Sequence, residues 1–335
     1  MSKIVIIDTV CNKAYDNQVF LAESLGGSEA TALRIAIYLS DTHAIALEQH
    51  NRAVVRVEGP RLRFTPLETE ENADIVILMR VQDYYKRAKE RFPRAKFVIW
   101  MHDWATERSF NDYDTLKGIT KLCVSESLST QCRDFLKIKY YYPEALFNYK
   151  VKTIHNVLDI GISSPISSYD KNKLCFISSP HKGLKKTLEV FMHVNRMLPE
   201  TKLYIANPGY LPSIETDIPN IVNLRERPFY SLMENIKDSM CLLYPNDVFP
   251  ETFGLVVAEC NALGIPVLTY RLGALPELIN NPAQYLKRDM SIKDIADKVI
   301  SWYNGNRPFV RKNLDFTPQR IIPKWERLIV ELMNE

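Results

Sequence analysis

No stretch of the 335-residue chain approaches the roughly 18 consecutive apolar residues of a membrane span, which excludes a helical membrane protein on sequence grounds. The N-terminus reaches Asp8 after a short apolar run, too soon for a secretory leader, so a cytoplasmic protein is expected. Charge of one sign is also lacking. Lys and Arg (43) nearly balance Asp and Glu (40), leaving +3, which argues against a dedicated nucleic-acid clamp and against an acidic tail. The six cysteines (11, 123, 132, 175, 241, 260) form no Cys-x-x-Cys pair and sit mostly in apolar runs. They read as reduced core residues, with disulfides or zinc the remote alternative. Internal repeats and low-complexity tracts are absent. What is present, 46% hydrophobic and 25% charged residues, is the composition of an ordinary folded protein of about two domains.

Short apolar runs alternate with amphipathic stretches from end to end. Residues 4–7, 44–47, 75–78, 97–100 and 122–124 read as buried parallel strands, with helical patterns at 28–40 and 127–136 between them. After about residue 165 the alternation restarts. Strand-like runs at 174–177, 203–205, 221–224, 241–244 and 267–269 are separated by helical stretches at 184–197, 229–237 and 255–263. Alternating strand and helix predicts a doubly wound α/β sheet, here twice over. The Ser/Pro-rich piece 163–168 is the most linker-like segment. Ligands of open α/β sheets bind at the carboxyl ends of the strands, so the loops there carry the chemistry.

The strongest segment runs from Asp247 to Val267. A strand ends near Tyr244, a helix is expected to start near Thr252 or Phe253, and Glu251 and Glu259 flank that start. Eight residues of helix rise about 12 Å, so the two carboxylates cannot share a metal but can touch the two ends of an elongated ligand. Between them the helix N-terminus, residues Thr252, Phe253, Gly254 and Leu255, offers N–H groups and a dipole suited to a diphosphate. Alone, such a pair reads first as two solvated helix-surface glutamates.

The flanking text changes that reading. Pro250-Glu251-Thr252-Phe253-Gly254-Leu255-Val256-x-x-Glu259, then Ala262-Leu263-Gly264-Ile265-Pro266-Val267 and Gly273-Ala274-Leu275-Pro276-Glu277-Leu278, resembles the nucleotide-sugar motif of retaining GT-B glycosyltransferases of the glycosyltransferase family 4 (group 1) type. The resemblance implies two Rossmann-like doubly wound parallel-sheet domains facing a central cleft. It places an acceptor-side domain at 1–160, completed by a C-terminal helix at 318–335, and a nucleotide-sugar domain at 161–317. Glu259 would then accept bonds from ribose hydroxyls and Glu251 from sugar hydroxyls.

Other loops fall into the same pattern. Gly26-Gly27-Ser28-Glu29 opens a helix after the first strand; alone it is a turn, but the family's Gly-Gly-x-Glu lies against the donor diphosphate and the acceptor. His102 follows the strand 97–100 directly. By itself it is a strand-end histidine bonded to backbone, whereas the resemblance implies a donor-sugar contact, with Asp103 as second choice. Ser178-Ser179-Pro180-His181-Lys182-Gly183 resembles the family's Arg-x4-Lys-Gly element, whose two cations hold the diphosphate. Lys182 matches, but Ile177 stands where the arginine would, so Ser178, Ser179 or a lysine of Lys185-Lys186 would have to substitute. His155-Asn156-Val157-Leu158-Asp159 resembles the inter-domain hinge.

Rival readings remain. Asp112-Tyr113-Asp114 is a formal Asp-x-Asp metal signature in polar loop surroundings, and the first loop lacks the Gly-x-Gly-x-x-Gly of a nicotinamide enzyme. A nucleotide-sugar hydrolase, epimerase or phosphorylase of the same fold, and a binding module that has lost catalysis, are the alternatives. The expectation is a metal-independent retaining glycosyltransferase with no cofactor, in which His102, Lys182 and Glu251 carry catalysis. Its donor is a nucleotide-diphosphate sugar. Its acceptor is open: a saccharide, a lipid-linked or other hydroxyl, with peripheral membrane contact or a nucleic-acid hydroxyl as outlying cases. The mixed basic and aromatic segment 133–142 raises those last two and equally reads as a solvated helix end.

Overall fold

The computed structural model describes residues 1–80, 83–110, 116–140, 150–161, 168–207 and 217–335. The linker expected at 163–168 falls outside the described residues except for Ser168, and Asp112, Asp114, Tyr141 and Tyr142 also fall outside them. The chain divides into two compact units. The first comprises Met1–Asn17, Gly27–Asp159 and Asp315–Glu335, and the second comprises Gln18–Gly26 and Ile160–Leu314.

The first unit holds an eight-stranded sheet: β1 (Lys3–Asp8), β2 (Ala44–Gln49), β3 (Arg56–Glu58), β4 (Leu62–Pro66), β5 (Ile75–Met79), β6 (Lys96–Met101), β7 (Thr120–Cys123) and β8 (Val151–Thr153), in the order β3-β4-β2-β1-β5-β6-β7-β8. Ile4 pairs with Ile45 on one side and with Ile75 on the other, both in parallel register. All five side chains of β5 are buried, as a strand covered on both faces requires. The sheet is not wholly parallel as expected, because β3 runs antiparallel to β4 at one edge. Three-residue strands and an Arg-Val-Glu sequence carry too little apolar pattern to announce themselves, and β8 escapes the sequence for the same reason.

Helix Pro318–Asn334 belongs to this unit. Its buried residues Ile321, Trp325, Leu328, Ile329 and Leu332 follow the 3.6-residue period that gives one apolar stripe. Trp325 packs edge-on against Trp100 of β6, with ring centroids 4.8 Å apart. Glu326 accepts from Thr42 (2.6 Å) and meets His43 Nε2 at 2.8 Å, fixing the helix over the end of Gly27–Leu39.

The second unit is built on six parallel strands: β9 (Asp170–Phe176), β10 (Lys202–Ala206), β11 (Ile221–Arg225), β12 (Ser239–Tyr244), β13 (Val267–Tyr270) and β14 (Tyr285–Leu286), in the order β11-β10-β9-β12-β13-β14. Counted within the unit this is 3-2-1-4-5-6, the doubly wound order whose switch point lies between its first and fourth strands. Helix Leu184–Met197 joins β9 to β10, and helix Leu255–Leu263 joins β12 to β13. A Ser291–Asp294 capping box starts helix Ile292–Ser301, satisfying its first N–H groups reciprocally. All six cysteines of the chain are buried free thiols. Among the described residues no helix is long and apolar enough to cross a membrane.

Candidate functional site

In the second unit, β9 and β12 flank the switch point, and the chain leaves their carboxyl ends into two facing loops. The first carries Ser178, Ser179 and Lys182; the second carries Asn246 and Glu251. Lys182 Nζ lies 3.0 Å from Glu251 Oε1 and 2.9 Å from Oε2. Tyr244, the last residue of β12, donates its hydroxyl to Glu251 Oε1 at 2.5 Å. Asn246 Nδ2 lies 3.5 Å from the same phenol oxygen. Glu251 is 6% exposed and Tyr244 fully buried, so this is a built polar cluster rather than a surface ion pair. Burial, then the Glu251 charge, raises the Tyr244 hydroxyl well above its ordinary pKa, so it stays a donor throughout the physiological range.

The loop holding Glu251 is shaped from within. Asn246 Oδ1 accepts from the N–H groups of Val248 (3.3 Å) and Phe249 (3.1 Å), and its Nδ2 donates to the Phe249 carbonyl (2.7 Å). Glu251 then pairs with Gly273 in an isolated parallel bridge, and its carbonyl accepts from Ala274 N–H at 2.8 Å. Gly273 has φ +60°, and a Cβ there would stand 2.4 Å from the Glu251 carbonyl oxygen; only glycine permits this approach.

The helix begins at Leu255, not at Thr252 or Phe253. Gly254 is its left-handed N-cap at φ +99°, where a Cβ would meet Leu275 at 2.7 Å. Glu251 therefore lies on an extended segment outside the helix, and the 12 Å helical rise does not describe its separation from Glu259. Thr252 and Leu255 are half-buried, while Phe253 and Gly254 are buried around the helix start. Glu259 sits in the second turn, 7% exposed. The lysines considered as substitutes for the missing arginine differ in placement. Lys186 is ion-paired with Asp247 and lies 5.2 Å from the Tyr270 ring centre, while Lys185 is exposed.

His102 and Gly27 belong to the first unit, and Gly26 closes the segment Gln18–Gly26 of the second. His102 follows β6 and is 6% exposed, with its ring 4.7 Å from that of Trp100. Its Nε2 meets no hydrogen-bond partner among the described residues. Burial, reinforced by the Arg80 charge, lowers its pKa to about 3, so the imidazole is neutral and offers a hydrogen bond rather than a charge. Asp103 is exposed.

The first unit also contains a cluster that the motif reading overlooked. Its sheet reverses between β1 and β5, and Asp8 and Arg80 stand at the carboxyl ends of those two strands. Arg80 Nη2 contacts Asp8 Oδ1 at 3.1 Å and Glu29 Oε1 at 3.0 Å, while Tyr15 donates to Asp8 Oδ2 at 2.9 Å. Arg80 adopts φ +61°, a strained conformation for a non-glycine residue and one concentrated at functional sites. The available signal was a charged residue directly ending each of two neighbouring apolar strands. Tyr244 and Asn246 gave none, because only their distance to Glu251 in space distinguishes them.

Residues 167–315 match the family model of glycosyl transferases group 1. Solved structures that resemble the whole chain include three glycosyl-transfer or nucleotide-bound proteins. HepE of Anabaena, solved in complex with UDP and glucose, superposes with a TM-score of 0.68 at 14% identity, covering 100% of both chains. AviGT4, a glycosyltransferase involved in avilamycin A biosynthesis, gives 0.63 at 15%, covering 100% of this chain and 97% of its own. An alpha-glucosyltransferase bound to UDP and a 13-mer DNA containing a HMU base gives 0.63 at 12% over 100% of both. At such identities the likeness is one of fold, and the fold is GT-B. Among curated protein sequences none matches the chain. No group of three or more His, Cys, Asp or Glu side chains suited to a metal occurs among the described residues, and Asp112 and Asp114 lie outside them.

Proposed function

We propose that the protein is a metal-independent, retaining glycosyltransferase of the family 4 type that moves a sugar from a nucleotide diphosphate to an acceptor hydroxyl. The observation that carries this reading is the Lys182–Glu251–Tyr244 cluster at the switch point of the unit that matches the group 1 model. Lys182 and the N–H groups at the start of helix Leu255–Leu263 would take the diphosphate, supplying fixed positive charge to a leaving group without reorganisation. Glu251 would accept from sugar hydroxyls and Glu259 from ribose hydroxyls. The neutral imidazole of His102 would hydrogen-bond the sugar. UDP in the HepE complex supports a uridine donor, and the glucose there supports a saccharide partner. Buried free thiols at all six cysteines suit a reducing, cytoplasmic setting.

The test is nucleotide release from a panel of nucleotide sugars with and without candidate hydroxyl acceptors. Release that requires the acceptor supports a transferase. Equal release in its absence identifies a hydrolase instead, and binding without release identifies an inert module.

A further inference from the structure

Lys182 faces a conflict in the proposed donor complex. Its ammonium has three protons, and in the ligand-free protein it lies within 3.0 Å of both oxygens of Glu251. A diphosphate arriving at Lys182 must draw off part of that contact. With Lys182 shared, the direction in which the carboxylate of Glu251, 6% exposed, points depends on the other donor that holds it.

Tyr244 is such a donor. Its hydroxyl reaches Glu251 Oε1 at 2.5 Å, and as a fully buried residue on the central strand β12 it is itself out of reach of a ligand. Its oxygen also lies 3.5 Å from Asn246 Nδ2 in the loop that follows β12. Being buried, the phenol can keep its bond to Glu251 when a diphosphate engages Lys182. With Oε1 anchored, the remaining capacity of the carboxylate lies on Oε2, which beside Lys182 is the oxygen free to turn to a ligand.

We propose that Tyr244 is a positioning residue for sugar recognition: it fixes the Glu251 carboxylate so that it addresses the sugar hydroxyls while Lys182 is taken up by the diphosphate. The inference rests on the donor-site reading above and adds to it the residue through which Glu251 acts. It predicts a split between two ligands. The sugar-dependent part of donor affinity runs through Tyr244, whereas the nucleotide diphosphate alone, which lacks the sugar, does not sense it.

The experiment is a double-mutant cycle read by calorimetry, using whichever pair the wild type binds among UDP with UDP-glucose, GDP with GDP-mannose and ADP with ADP-glucose. Tyr244→Phe should weaken the sugar nucleotide about tenfold, the loss of one hydrogen bond to a charged group. The bare diphosphate should change by less than about twofold. In a Glu251→Ala background the same change should have no further effect beyond about twofold, because coupled residues are non-additive. Glu251→Gln keeps an oxygen for the phenol and should retain part of the sugar-dependent gain that Glu251→Ala loses, giving a second arm should Tyr244→Phe fold poorly. Parallel weakening of both ligands by Tyr244→Phe would mark a merely structural role and overturn the inference. Wild-type affinity in that variant, an undiminished tenfold effect in the Glu251→Ala background, or equal loss in Glu251→Gln and Glu251→Ala would each overturn it as well. Absence of wild-type binding to every pair would instead remove the donor-site reading, and the inference with it.

Discussion

A histidine kept neutral by burial records its environment in the pH dependence of folding. His102 has a pKa of about 3 in the native protein against the ordinary 6.5 of an exposed histidine. Between those values the unfolded chain binds a proton that the native state refuses, so stability falls as pH drops from about 6.5 toward 3. The slope from this one group is about 1.4 kcal/mol per pH unit. In denaturant melts the pH slope of stability between about 6.5 and 3 should be steeper in wild type than in His102→Gln by about that amount; identical slopes would place the imidazole in water. The same residue separates rate from affinity. His102→Ala should lower transfer rate far more than affinity for the nucleotide diphosphate, whereas Glu259→Ala should weaken diphosphate and sugar nucleotide together by roughly 1.5–3 kcal/mol, the range of a charge-assisted hydrogen bond. Calorimetry with the bare diphosphate checks both, and unchanged affinity in Glu259→Ala would remove that glutamate from the ribose role.

Among the elements, the segment between β12 and helix Leu255–Leu263 shows what a sequence can and cannot disclose. The central strands and the helices at 184–197 and 255–263 were legible because apolar runs and 3.6-residue periods record burial directly. The motif around Glu251 and Glu259 was legible because its order of residue types is unusual. Its geometry was not. A helix start two or three residues later than expected follows from Gly254 capping in the left-handed region, and glycine alone does not reveal which hand it adopts. The bridge from Glu251 to Gly273 joins residues 22 positions apart, beyond any local pattern. The edge strand β3 and the Asp8–Arg80–Glu29 cluster were missed for related reasons: one is too short for periodicity, and the other exists only when three segments fold together. The bridge yields its own prediction. Gly273→Ala forces an L-residue to φ +60° and drives its Cβ into the Glu251 backbone. It should destabilise by at least about 1–2 kcal/mol and displace Glu251, lowering sugar-nucleotide affinity in the folded fraction. Thermal melts and calorimetry on the variant check both effects, and an unperturbed protein would show that the approach at Gly273 is not tight.

For the molecule as a whole, the proposed function relies on fixed protein charge and oriented N–H groups in place of a metal ion. Turnover should accordingly survive excess chelator. Loss of activity in EDTA with recovery on adding manganese or magnesium would contradict that assignment and return attention to Asp112 and Asp114. The central claim, that the switch point of the second unit binds a nucleotide-diphosphate sugar through Lys182 and Glu251, is tested most directly by calorimetric titration of a nucleotide-sugar panel into wild type and Lys182→Met. One donor should bind the wild type, and the variant should lose at least tenfold in affinity for both that donor and its bare diphosphate. Equal binding by the two proteins, or no binding by the wild type to any member of the panel, would contradict it.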